Sequence, residues 1–165
     1  MISADAKVAV AYGRVRFVDA DNSTLFDSTS SPRYQHFKAL FAHRVMLFTQ
    51  QGTLIRREVY EQLQGFDLSY RLTADTEFWV RCIELGLKMG YVHSVCAAYM
   101  IQPGQLSSAV DHSSAEIHRI LTEHRISRNA RSWFEFCLFR LANIPLYLQR
   151  VIQGNARTVG SLLET

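Results

Sequence analysis

Apolar and polar positions follow two rhythms along this chain, a strand-like one at the start and a helical one later. The opening stretch KVAVAYGRVRFVDADN holds two runs rich in β-branched and aromatic residues, Val8–Tyr12 and Val15–Asp19, on either side of Gly13. The pattern predicts two short strands with DADNS as the turn after them. A strand so near the first residue suggests a chain that begins inside a larger domain. STSSPR, residues 28–33, reads as a loop, and YQHFKALFAHRVM as a short helix. LFTQQGTLIRR is expected to be a buried strand that passes at Arg56 into the helix REVYEQLQ, which Gly65 stops. After the irregular GFDLSYRLT, the apolar positions Phe78, Trp79, Cys82, Ile83 and Leu85 recur at helical spacing until Gly86.

Two further strands are expected, near Tyr91–Val95 and Ala97–Ile101, and then a turn at QPGQLSS. From Ser113 the pattern is helical over about Ala115–Ile126 and Ser132–Val151, with Pro145 as a break. The fold class is therefore α/β, a mixed sheet followed by a C-terminal helical tail. No internal repeat or low-complexity linker interrupts it.

Composition narrows the picture. The chain has 165 residues, enough for one domain with a real core, and 48% apolar against 20% charged residues is an ordinary globular balance. A formal charge of +3, from scattered rather than clustered cations, argues against nucleic acid as a partner. Cys82, Cys96 and Cys137 are odd in number and far apart, so they read as buried, reduced thiols of a cytosolic protein. MISADAKVAV has no signal-peptide character. The apolar region Trp133–Leu148 is interrupted by Glu135, Arg140, Asn143 and Pro145 and does not span a bilayer as it stands.

The chemistry concentrates in TADTEFWVR, residues 73–81. Asp75 precedes Phe78, Trp79 and Cys82 at i+3, i+4 and i+7, which places it on the inward face of its helix at the first turn. Two roles suit a carboxylate there: a cap or partner of the helix dipole, or a general base whose pKa burial raises. Glu77 lies on another side, either solvated or holding a loop. Arg81, four residues on, is positioned for a local ion pair or for a site role.

These residues come in an order that resembles the acceptor half of a glycosyltransferase family 2 domain of GT-A fold. In that family a strand with Gln and Thr leads into a basic pair and a helix. A GGFDE segment follows, then a helix of the pattern (E/A)D-x-(E/D)-(F/L)-W-x-R, a strand, and a loop ending near Ser. Here Gln51, Thr53, Arg56, Arg57, QGFDLS, ADTEFWVR, Gly86, Tyr91 and Ser107 occur in that order, and YGRVRFVDADN resembles the family's early strand pair. The resemblance covers roughly residues 8–110. It implies a partial GT-A, Rossmann-like domain over residues 1–112, followed by a helical segment over 113–165.

By that resemblance Asp75 is the catalytic base. It would deprotonate an acceptor hydroxyl for in-line attack on the anomeric carbon of a nucleotide-sugar, inverting that centre in one displacement. Glu77 and Arg81 would shape the acceptor pocket and hold Asp75. Trp79 is either helix packing or a sugar-stacking platform. Gln50 and Gln51 either face the substrates or bind backbone within the sheet. Ser107 and Ser108 either order a loop over the donor phosphates or serve as turn residues. The donor would be a nucleotide-sugar, with Mg or Mn expected for a full domain, and the acceptor a glycan, polysaccharide or lipid-linked hydroxyl.

The departures from the family are as informative. Its nucleotide-binding half and Asp-x-Asp metal motif lie upstream of these segments and have no counterpart here, so the metal ligands are not expected in this chain. Asp19 and Asp21 read as turn formers rather than ligands, and His93 and His112 each stand alone. Arg14 occupies a position where the family often has Asp. The expectation is a truncated or split piece, inactive or weakly active alone, in the cytoplasm or at the inner face of the membrane, with a donor-binding half as partner. Two other expectations compete: a non-catalytic remnant that binds glycans or a partner, and a tail that touches a membrane surface through an apolar stripe with Arg131, Arg140 and Arg150 beside it.

Overall fold

A computed structural model describes residues 7–102 and 110–152. The fold is mixed α/β, with a four-stranded mixed sheet followed by helices. Strand β1 (Val10–Val18) is its axis. Strand β4 (Met89–Met100) runs parallel along one edge of β1 for its full length. A strand has only two edges, so the antiparallel partners β2 (Thr24–Asp27) and β3 (Thr53–Ile55) share the other, β3 beside Val10–Tyr12 and β2 beside Arg16–Val18.

Gly13 does not divide two strands, as the sequence pattern predicted; it lies inside one. The reason is close approach, the usual meaning of a strand glycine. A Cβ at Gly13 would sit 2.3 Å from Cys96 Sγ and 3.1 Å from the Ser94 carbonyl oxygen. Nor does β4 break near Cys96. It is one strand in which His93, Ser94 and Cys96 are extra residues: Gly13 pairs with Val92, Arg14 with Val95 and Val15 with Ala97. The bulge folds its Cys96 back into the space that Gly13 leaves empty.

The segment before β3 also differs from expectation. Leu47 and Phe48 are buried without forming a strand, and Gln50–Gly52 is a single 3-10 turn. That turn needs Gly52, where a Cβ would lie 2.9 Å from the Gly13 carbonyl oxygen and 2.8 Å from Val15 Cγ2. Gly52 thus lets the turn meet the backbone of β1, while Gly13 makes room for the bulge of β4. Gln51 is exposed on this turn, as is Gln50.

The helices are α1 (Phe37–Ala42), α2 (Arg57–Gln62), α3 (Ala74–Glu84), α4 (Val110–Glu123), α5 (Ala130–Ala142) and α6 (Ile144–Ile152). As the pattern predicted, α2 and α3 end at Gly65 and Gly86, whose φ angles of 71° and 66° are left-handed. The tail is two helices separated at Asn143, with Pro145 in the first turn of α6, where its missing N–H costs nothing. The predicted turn at QPGQLSS, with Ser107 and Ser108, lies outside the described residues apart from Gln102, as does the side chain of His112. The turn reading of Asp19 agrees with its contacts, since its Oδ1 accepts the amides of Asp21 and Ser23.

The core is aromatic. Phe48 stands at its centre, with ring centroids 4.4 Å from Tyr12, 5.2 Å from Phe37 and 5.5 Å from Trp79. Phe78, Trp79, Val80 and Cys82 of α3 have no exposed surface, and each large side chain of this kind contributes about 1.5–3 kcal/mol. Of the cysteines only Cys82 is buried. Cys96 lies on the bulge and Cys137 on the outward side of α5, so the expectation of three buried thiols holds for one.

Replacing Gly52 with Ala is expected to cost about 1–3 kcal/mol, because the new methyl meets a backbone carbonyl that the sheet holds in place. Urea denaturation of the variant checks this; an unchanged midpoint would refute the close packing of turn and strand.

Candidate functional site

The site is built on the N-terminal end of α3. Thr73 precedes the helix, and Asp75 is its second residue rather than its cap. Thr73 makes no capping bond because its hydroxyl donates elsewhere, to Glu116 Oε2 at 2.9 Å. Glu116, on α4, also accepts the amides of Arg71 (2.7 Å), Leu72 (2.9 Å) and Thr73 (2.9 Å). Three successive backbone N–H groups thus close on one carboxylate, and the loop before α3 is fixed from outside. Burial alone would raise the pKa of Glu116; the amide and hydroxyl bonds outweigh it and hold the pKa below the ordinary glutamate value.

Asp75 Oδ1 accepts the Thr76 amide at 2.7 Å and the Thr76 hydroxyl at 3.3 Å. The carboxylate therefore satisfies one of the free N–H groups of the first turn, which is a helix-terminal role. No cation pairs with it among the described residues. Burial dominates its titration and raises its pKa above the ordinary aspartate value, only partly opposed by the bonds from Thr76. Asp75 is partly exposed, so it is both desolvated and reachable.

Glu77 and Arg81 form a structural pair. Arg81 Nε donates to both Glu77 oxygens, at 2.7 and 2.9 Å, and its two terminal nitrogens donate to the carbonyls of Leu63 (2.6 Å) and Gly65 (2.8 Å). The guanidinium thereby holds the C-terminal end of α2 against α3. Glu77 is buried, its charge balanced by Arg81 and faced at 3.6 Å by His124 Nε2. His124 Nδ1 meets Glu84 at 2.9 Å, and Lys38 of α1 reaches Glu84 at 2.7 Å. A polar chain therefore crosses α3 and ties it to α1, α2 and the end of α4. The sequence pointed to the Glu77–Arg81 pair but gave no signal for Glu116, His124 or Lys38, whose partners lie about forty residues or more away.

The remaining candidates do not gather around Asp75. Trp79 lies wholly in the core, edge-on to Phe48 and Phe78, with its indole N–H buried and without a hydrogen-bond partner among the described residues. Gln51 lines a separate small cavity of about 130 Å3 with Tyr12, Thr53, Leu54, Val92 and Cys96. No hydrogen bond joins Asp75 to Glu77, Arg81 or Gln51. Arg14, on β1, keeps its Nε buried without a hydrogen-bond partner among the described residues. The described residues hold no cluster of three or more His, Cys, Asp or Glu side chains suited to a metal ion.

Glu116→Ala is expected to destabilise the fold by about 1–2 kcal/mol at neutral pH, since three amides and a hydroxyl lose their acceptor. With its folded pKa below the unfolded one, Glu116 stabilises above the ordinary glutamate range, and that contribution is lost as pH falls through the depressed value. Urea titrations of parent and variant should therefore converge in acid; a gap that persists there would show that the charge is not the cause. No protein-family model matches this chain, and no curated protein matches it.

Proposed function

We propose that this chain provides the acceptor side of an inverting glycosyl transfer from a nucleotide-sugar to a hydroxyl of a glycan or lipid-linked acceptor, with Asp75 as the general base. The observation that carries the reading is the state of Asp75: a carboxylate without a cation, raised in pKa by burial, and still partly exposed at the start of a helix whose inward face is fixed in the core. A base needs a raised pKa to accept a proton and a fixed position from which to take it. The Glu116 grip and the Arg81–Glu77 pair supply the fixed position, so they are positioning residues. The ordered resemblance of QGFDLS and ADTEFWVR to the acceptor half of glycosyltransferase family 2 supplies the reaction class. In that reaction the hydroxyl oxygen bonds to the anomeric carbon, the bond to the nucleotide diphosphate breaks, and the hydroxyl proton passes to Asp75. The donor and any divalent metal would be held by a nucleotide-binding half.

Glycan-panel binding and transfer from nucleotide-sugar donors test this. The parent is expected to bind an acceptor glycan, and Asp75→Asn to bind it within about twofold while cutting any transfer by about 100-fold or more. Failure of the parent to bind any glycan, or transfer that survives Asp75→Asn, would remove the reading.

Stability gives an independent check on Asp75. A folded pKa above the unfolded one means that the native state holds the extra proton across the interval between them. Stability is therefore lost as pH rises through that interval. Relative to Asp75→Asn, the parent should weaken as pH climbs out of the ordinary aspartate range, measured by urea titration at a series of pH values. Parallel curves would mean that Asp75 is not desolvated.

A further inference from the structure

Helix α5 buries one face and leaves an apolar one outside. Ser132, Phe136, Phe139 and Asn143 turn inward, and α5 packs on α1, with His43 stacked 4.8 Å from Phe136 and its Nε2 3.1 Å from Ser132 Oγ. Arg128 fastens the entry to α5 by donating to the Ala42 carbonyl. The opposite side carries Phe134 (64% exposed), Leu138 (38%) and Leu141 (61%), and α6 adds Leu148 (57%) and Val151 (60%).

The two sets are neighbours. Arg140 of α5 donates to the Tyr147 hydroxyl of α6 at 3.2 Å and lies over its ring, so the helices meet across the break at Asn143. The exposed Leu141 and Leu148 each follow one member of that pair in the sequence. The exposed area is on the order of several hundred Å2, at or above what a monomer ordinarily leaves in water.

The segment that carries these side chains is basic. From residue 124 to 152 the sequence holds Arg125, Arg128, Arg131, Arg140 and Arg150 against a single acid, Glu135. Arg131 is 86% exposed and pairs through its Nε with Glu135 at 2.9 Å. Together with Lys38 and Arg125 it lines a shallow cavity of about 210 Å3 at the N-terminal end of α5. Among the described residues no helix is long and apolar enough to cross a membrane. An exposed apolar face on a basic segment, carried by a helix that packs on its own domain, has the chemistry of a surface that rests in lipid headgroups.

We propose that the outward face of α5 and α6 docks on an anionic lipid bilayer, with Phe134, Leu138, Leu141 and Leu148 at the level of the upper acyl chains and Arg125, Arg131 and Arg140 among the headgroup phosphates. The proposal does not depend on glycosyl transfer, because it rests on other residues and is read without turnover.

Co-sedimentation with phosphatidylcholine vesicles, with and without phosphatidylglycerol, tests it. Binding is expected to be at least about tenfold tighter to the anionic vesicles and to weaken as salt rises. Trp133 is half exposed on α5 while Trp79 is fully buried, so a blue shift of tryptophan emission on binding reports α5 itself. F134E/L141E should weaken binding by about tenfold or more with an unchanged far-ultraviolet circular dichroism spectrum. The milder F134S/L141S serves if the glutamates disturb folding, and L54E, an equally exposed leucine on β3, should change nothing. No sedimentation with anionic vesicles at low salt would overturn the proposal. So would binding indifferent to both double variants, or a dimer in solution that F134S/L141S dissociates, since the face would then be covered by a second copy.

Discussion

Strand β1 is paired along both edges, and the rest of the molecule is arranged around that condition. One edge carries β4 without interruption; the other is divided between β3 and β2, so segments more than twenty residues apart must meet end to end along it. The 3-10 turn before β3 presses its Gly52 against the Gly13 carbonyl of β1, which a Cβ at Gly52 would meet at 2.9 Å. Phe48 enters the core just before that turn and gathers Tyr12, Phe37 and Trp79 around it. The sheet thus fixes the core, and the core fixes α3.

Helix α3 is then secured on its polar sides by charge. Glu116 closes on the loop before it, Arg81 draws the end of α2 to its middle, and Glu84 joins Lys38 and His124 near its end. Each contact uses an ionised group to satisfy backbone or opposite charge, which is where such bonds are strongest. Asp75 is the exception. Among the described residues its side chain bonds only its neighbour Thr76, and burial raises its pKa against those bonds.

Local rhythm made much of this legible in the sequence. The spacing of Phe78, Trp79 and Cys82 identified the buried face of α3, and Gly65 and Gly86 marked the ends of α2 and α3, because one-residue backbone requirements show directly in residue type. The strands were misjudged for a physical reason. Gly13 and Cys96 look like interruptions when each strand is considered alone, and only the pairing shows that one makes room for the other. The Asp75–Thr76 contact and the Glu77–Arg81 pair are local and so foreseeable. The Glu116 grip is not, since nothing in SSAEIHR indicates that its carboxylate meets amides some forty residues earlier. Gln51 was placed on a strand by its apolar neighbours, whereas the backbone there turns to admit Gly52.

The bulge in β4 has a consequence for how this protein behaves among copies of itself. Strand β4 lies beside β1 at the side of the sheet and, at twelve residues, is the longest of the four described strands. A straight edge of that length offers a continuous row of amides and carbonyls to any other extended chain. His93, Ser94 and Cys96, each surplus to the pairing with β1, break the row at mid-strand and twist it away from the straight register that a second strand would need. The bulge that folds Cys96 over Gly13 therefore also works against the pairing of that edge with a second strand.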